Sequence, residues 1–108
     1  MIARIWRGWA PPDTADDYQR HYSSEVSGHL RAVAGFRGAR LLRQDDGQEV
    51  MFTSITYFTS LDAVRAFAGD DYEQAVVEEP ARQALSRWEQ RVSHHEVAID
   101  VPWPAANV

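Results

Sequence analysis

Residues 36–58 read FRGARLLRQDDGQEVMFTSITYF. Two runs with strand character, 36–44 and 49–58, flank Asp45-Asp46-Gly47, which is a hairpin turn signal. Side chains alternate along a strand, so the second run offers Val50, Phe52 and Phe58 to one face and Met51, Ile55 and Tyr57 to the other. A strand that is apolar on both faces needs a cover on each side.

Upstream, residues 2–9 also alternate. Ile2, Arg4 and Trp6 fall on one side, and Ala3, Ile5, Arg7 and Trp9 on the other, which predicts a strand that Pro11-Pro12 ends. Asp13 or Thr14 is placed to cap a helix running to about Val33. Its buried stripe is Tyr18, Tyr22, Val26, His29, Leu30 and Val33. Gly28 weakens the last turns and Gly35 stops the helix. Downstream, Thr59 or Ser60 caps a second helix, with Asp62 reaching back to Thr59 and Leu61, Val64, Phe67 and Ala68 forming the apolar face. Gly69 ends it. Asp70 opens a short helical segment through Val77, and Pro80 starts a further turn. Residues 88–100 read as the last strand. The tail 102–108 reads as irregular, and Trp103, between two prolines, is expected to tuck against the body or a partner chain.

The order β-α-β-β-α-β is the ferredoxin-like plan, an α+β fold whose antiparallel sheet carries both helices on one face. It accounts for residues 1–101 as one domain. Two helices cover only one side, and soluble monomers avoid exposed apolar patches of several hundred Å2. The pattern therefore predicts a homodimer in which two sheets pack face to face into a dimeric α+β barrel.

Composition removes whole classes of chemistry. All 11 basic residues are Arg and there is no Cys. Without Lys there is no Schiff-base lysine and no P-loop lysine. Without Cys there is no thiol nucleophile, disulfide or cysteine-held metal cluster. A net charge of −5 with dispersed Arg argues against a nucleic-acid or membrane-surface partner. Apolar runs are too short to span a bilayer and the first residues are not a signal-peptide core, so a cytoplasmic protein is expected.

The segments GFRGARLLR (35–43), SLDAVRAFAGDDYEQAVV (60–77) and RVSHHEV (91–97) resemble the antibiotic biosynthesis monooxygenase family of dimeric α+β barrels. The resemblance extends from IARIWRGW to about VAID. It implies the same fold and dimer, and a monooxygenase that needs no metal or flavin and acts on a small aromatic or polyketide-like substrate. In the haem-degrading members an Asn, a Trp and a His fall where this chain has Trp6, Phe67 and Val77, so haem breakdown is not expected. In the cofactor-free quinone-forming members an Asn, a Trp and a Tyr fall where it has Ser54, Phe58 and Val64. The fold carries over better than the activity, and a non-catalytic dimer that binds a small apolar ligand is the alternative.

In this fold the cavity is expected between the helices and the sheet. His29, on the apolar stripe, His94 and Tyr72 are the catalytic candidates. Arg4, Trp6, Tyr18, Tyr22, Tyr57, Phe58 and Phe67 are the binding candidates. Arg4 is expected to be buried beside an anionic partner, Glu96 or another strand's carboxylate ahead of an acidic ligand, and to stack on Trp6. Trp88 joins the tyrosines as a possible aromatic lining. His21, Glu25 and His29 lie at i, i+4, i+8 along one helical edge; eight residues rise about 12 Å, so only adjacent pairs can share an ion. No cofactor or metal is expected. His94 and His95 are consecutive on a strand and point to opposite faces.

Overall fold

The computed structural model of the chain describes residues 1–104. Five strands form one antiparallel sheet: β1 (Ile2–Ala10), β2 (Phe36–Asp46), β3 (Glu49–Phe58), β4 (Arg87–Trp88) and β5 (Ser93–Glu96). The order is β2-β3-β1-β4, with β5 also on β1. The hairpin is as the sequence indicates: Asp46 pairs with Glu49 and the ladder continues to Phe36–Phe58, with one irregularity between Phe36 and Gly38. β1 is central, and Arg4 sits opposite Thr56 on one side and His94 on the other.

The last strand differs from the single run expected over 88–100. β4 and β5 are two short pieces on the edge of β1, and the chain leaves the ladder between them. Residues 70–77, expected to be helical, instead run against this gap. Ala75 N–H donates to the Gln90 carbonyl (2.9 Å) and Val92 N–H to the Glu73 carbonyl (2.7 Å). These bonds satisfy polar backbone that would otherwise be stranded at the edge, and they compete with helix formation.

The first helical region is α1 (Pro12–His21), a π-helical turn (Tyr22–Val26) and α2 (Ser27–Arg31). Pro11 occupies the N-cap without a side-chain cap, and neither Asp13 nor Thr14 fills that role. The Thr14 hydroxyl donates instead to the Ala84 carbonyl, at 2.8 Å, tying α1 to α4 (Glu79–Ala84). Ser60, not Thr59, caps α3 (Leu61–Ala68), its hydroxyl accepting from Ala63 N–H at 3.2 Å. Asp62 pairs with Arg65 at 2.9 Å rather than reaching back.

The even-numbered residues of β1 and β3 face the helices. Two clusters fill that side. Trp6, Tyr18, Val50, Phe52, Ala81 and Leu85 belong to one. Leu30, Phe58 and Val64, with Phe36 and Phe67 against them, belong to the other. The Trp6 ring lies over Gly8, where a Cβ would meet it at 2.8 Å, so the glycine makes room for the indole. On the opposite face Ile5, Met51, Ile55 and Tyr57 are only half-buried. Trp103 lies under the Arg40 guanidinium, 5.1 Å from the ring centroid, yet stays 77% exposed, so it does not tuck into the body. Residues 105–108 of the tail lie outside the described residues.

Candidate active site

A cavity of about 60 Å3 opens between the two core clusters. Its floor is the sheet: Arg4 and Trp6 from β1, Ser54 and Thr56 from β3. Tyr18, His21, Tyr22, Val26 and Leu30 form the helical wall, and Phe67, Val76, Val77, Glu78, Ala81 and Val92 close the remaining sides. The lining is largely apolar with a few convergent polar groups, the usual constitution of a small-ligand site.

Trp6 is fixed by its indole N–H donating to the Glu89 carbonyl at 2.8 Å, and its ring packs near Tyr18 (centroids 6.4 Å apart). Burial pushes the Tyr18 hydroxyl's pKa up, with a smaller contribution from Tyr22, so it stays protonated. The Tyr22 hydroxyl lies 3.4 Å from Ser54 Oγ across the floor.

Arg4 is buried, with 6% exposure. Nη1 donates to the Tyr72 carbonyl (2.5 Å) and to His94 Nε2 (3.0 Å), and Nη2 donates to the Gln74 carbonyl (3.3 Å). No carboxylate pairs with it among the described residues, which corrects the expectation of Glu96 or a strand carboxylate. The loop 72–74 brings carbonyl oxygens there instead. The guanidinium lies over Phe67, 5.7 Å from the ring centroid, and not over Trp6. Burial lowers its pKa to about 10, which leaves it charged at neutral pH.

His21 also lines the cavity, a position the sequence pattern did not single out. Its side chain is 5% exposed and its Nε2 is buried without a hydrogen-bond partner. Nδ1 faces Glu25 Oε2 at 3.4 Å. His21, Glu25 and Glu78 also bring one ligating atom each within 4.8 Å of one another, a spacing that can hold a metal ion. The third member is Glu78 and not His29, in keeping with the helical rise that separates His21 from His29.

The remaining candidates separate. Arg4, Trp6, Tyr18, Tyr22 and Phe67 line the cavity. His29 does not: its side chain is 61% exposed, and its Nδ1 pairs with Glu78 Oε1 at 3.1 Å. His94 and Tyr72 stand behind Arg4, in a neighbouring surface cleft, with their rings edge to face at 5.1 Å. Phe58 is fully buried in the core, and Tyr57 faces the far side of the sheet beside Trp103. Trp88 packs against the first core cluster. His95 borders the same cleft, its Nε2 2.9 Å from the Ser93 hydroxyl.

Of the six positions matched to the family's functional residues, Trp6, Ser54, Phe67 and Val77 line this cavity, while Phe58 and Val64 lie in the adjoining core. The sequence model of the antibiotic biosynthesis monooxygenase family matches residues 1–79. The chain belongs to that family. No curated protein matches this family member in sequence. Among solved structures it is similar to SnoaB, a cofactor-independent oxygenase from Streptomyces nogalater, at 15% identity and TM-score 0.67, over 94% of this chain and 97% of that one. It is also similar to the haem-degrader MhuD from Mycobacterium tuberculosis, at 21% identity and TM-score 0.63, over 94% of this chain and all of that one. At these identities the likeness shows a shared fold. No helix among the described residues is long and apolar enough to cross a membrane.

Proposed function

We propose that this family member is a cofactor-independent monooxygenase acting on a small dihydroxyaromatic substrate in the cavity between Arg4, Trp6, His21 and Tyr22. The observation that carries the reading is His21: a buried imidazole in the cavity wall whose Nε2 has no partner and whose Nδ1 faces a carboxylate. A buried imidazole with a carboxylate near its other nitrogen suits a general base.

In this reading His21 Nε2 takes a phenolic proton, and the resulting anion gives electrons to molecular oxygen. A hydroquinone then loses its two hydroxyl hydrogens and one ring hydrogen. One oxygen atom enters the ring as a hydroxyl, the other leaves as water, and the product is a hydroxyquinone. The substrate supplies every electron, so no added reductant is required. Walls of Trp6, Leu30, Val76 and Val77 hold the ring and keep water from the reactive anion. A cavity of about 60 Å3 suits a single ring better than a fused polyketide.

The residues present do not fit haem. Val77 has no ligating atom, the Phe67 ring is packed against Phe58 (5.9 Å), and the cavity is small for a macrocycle. A ligand-binding protein without catalysis is the rival reading, favoured by the inert side chains of Trp6, Phe67 and Val77. Oxygen consumption with a panel of dihydroxyaromatics separates the two. The wild type should consume oxygen with at least one member, and His21→Gln should lower kcat by about 10²–10⁴. Silence across the panel, or an unaltered kcat in the variant, sinks the catalytic reading.

A further inference from the structure

We infer that the cavity takes an anionic ligand, a single-ring aromatic carboxylate whose acid group sits on Arg4. The inference rests on the assignment of this cavity as the substrate site and adds the substrate's charge.

A guanidinium removed from water is costly unless a negative partner compensates it. Arg4 is 6% exposed and central in the sheet, and no carboxylate reaches it among the described residues. Its neighbours supply dipoles, not charge: the Tyr72 and Gln74 carbonyls and the imidazole of His94. Arginine donates from five N–H groups in a fixed fork. Three are engaged by those contacts, which leaves Nε–H and one Nη2–H without a protein acceptor among the described residues. A carboxylate can accept two parallel N–H bonds from such a fork. Arg4 also lines the cavity, so a ligand bound there lies beside the residue that carries these donors.

The other charged group in the lining does not remove this need. Glu78 is engaged with His29 at 3.1 Å. The carbonyl contacts behind Arg4 hold the guanidinium in position before a ligand arrives, so little ordering accompanies binding. The ring of the ligand is then bounded by Trp6, Tyr22 and Phe67.

The test compares a dihydroxybenzoate with the corresponding benzamide, which has the same shape and no charge, by tryptophan fluorescence and calorimetry at neutral pH. Wild type should bind the acid about tenfold or more tightly than the amide, the size of one charge-assisted hydrogen bond. Arg4→Gln should lose that preference, and Arg4→Lys should keep part of it. Arg65→Ala, which removes an exposed cation near Tyr72, should leave it unchanged. Equal binding of acid and amide, binding of neither, or a preference that survives in folded Arg4→Gln or disappears in Arg65→Ala overturns the inference. The wild-type comparison decides even if Arg4→Gln fails to fold. Selective binding without oxygen consumption would leave the anion site standing and remove the oxygenase reading; consumption with amide and acid alike would do the reverse.

Discussion

Arginine has no acceptor atom, so the 3.0 Å contact between Arg4 Nη1 and His94 Nε2 requires an unprotonated Nε2. Burial is the first cause that lowers the His94 pKa below its ordinary 6.5, and the Arg4 charge is the second; Glu73 works the other way and His95 adds to the lowering. The folded protein therefore binds the His94 proton less readily than the unfolded chain does. Stability from this group is present above about pH 6.5 and is lost as pH falls through the lower folded value. Thermal melts of wild type should lose stability across that window, and His94→Gln, which keeps an acceptor but does not titrate, should lose less. Identical pH profiles would show that His94 is not the group responsible. Arg4 itself was legible in the sequence, because alternation on a central strand places it inside. Its partners were not. Main-chain carbonyls of Tyr72 and Gln74 carry no residue-type signature, so a search for a carboxylate pointed to Glu96, which pairs across from Ile2 instead.

At the level of elements, one π turn sets the phase of the helix end that carries His29. In the Tyr22–Val26 segment a carbonyl is bonded five residues on, as in Ser27 N–H to Tyr22, so the helix accommodates an extra residue and its phase shifts. A regular 3.6-residue stripe carries Tyr18 and Tyr22 on to His29. Past the π turn Leu30 stays buried and His29 is left exposed, while His21, upstream of it in α1, is buried one turn on from Tyr18. The stripe's apolar members were readable, as were both helices, the hairpin and the capping of α3 by one of two adjacent hydroxyls. The π turn has no comparable sequence marker. Nor did turn residues at 70–77 reveal that this segment would pair with residues 90–92 rather than form a helix. Another element contact is better defined. Gly35 has φ of 91°, and a Cβ there would meet Thr59 Oγ1 at 2.6 Å and Ala63 Cβ at 2.8 Å. The same turn is held by Thr59 N–H donating to the Gly35 carbonyl at 2.8 Å. Gly35→Ala combines left-handed strain with overpacking and should cost about 2 kcal/mol or more. A denaturation midpoint unchanged from wild type would show that the turn relaxes freely.

For the whole molecule the outstanding requirement is a cover for the second sheet face. Ile5, Met51, Ile55 and Tyr57 are half-buried there and Leu42 is 47% exposed. Four strand positions about 4.8 Å apart and up to roughly 30 Å long give a face of roughly 500–600 Å2. A standard stable interface takes about 800 Å2 from each partner. The sheet alone falls short, and the shortfall points to the tail, where Ile99, Val101 and Trp103 are 82%, 83% and 77% exposed. These apolar groups flank a groove shared with Ala3, Tyr57 and Glu96, continuous with the sheet face. A homodimer joined through the two sheets, with each tail extending the contact, would cover both. Light scattering at micromolar concentration should therefore give twice the chain mass. Ile55→Arg, which places a charge at the centre of the face, should yield a folded monomer, and truncation after Ala98 should weaken the dimer without removing the sheet contact. A wild-type monomer would refute the assembly. A dimer whose dissociation constant is indifferent to the tail would confine the interface to the sheets and leave the exposed Ile99, Val101 and Trp103 to another role.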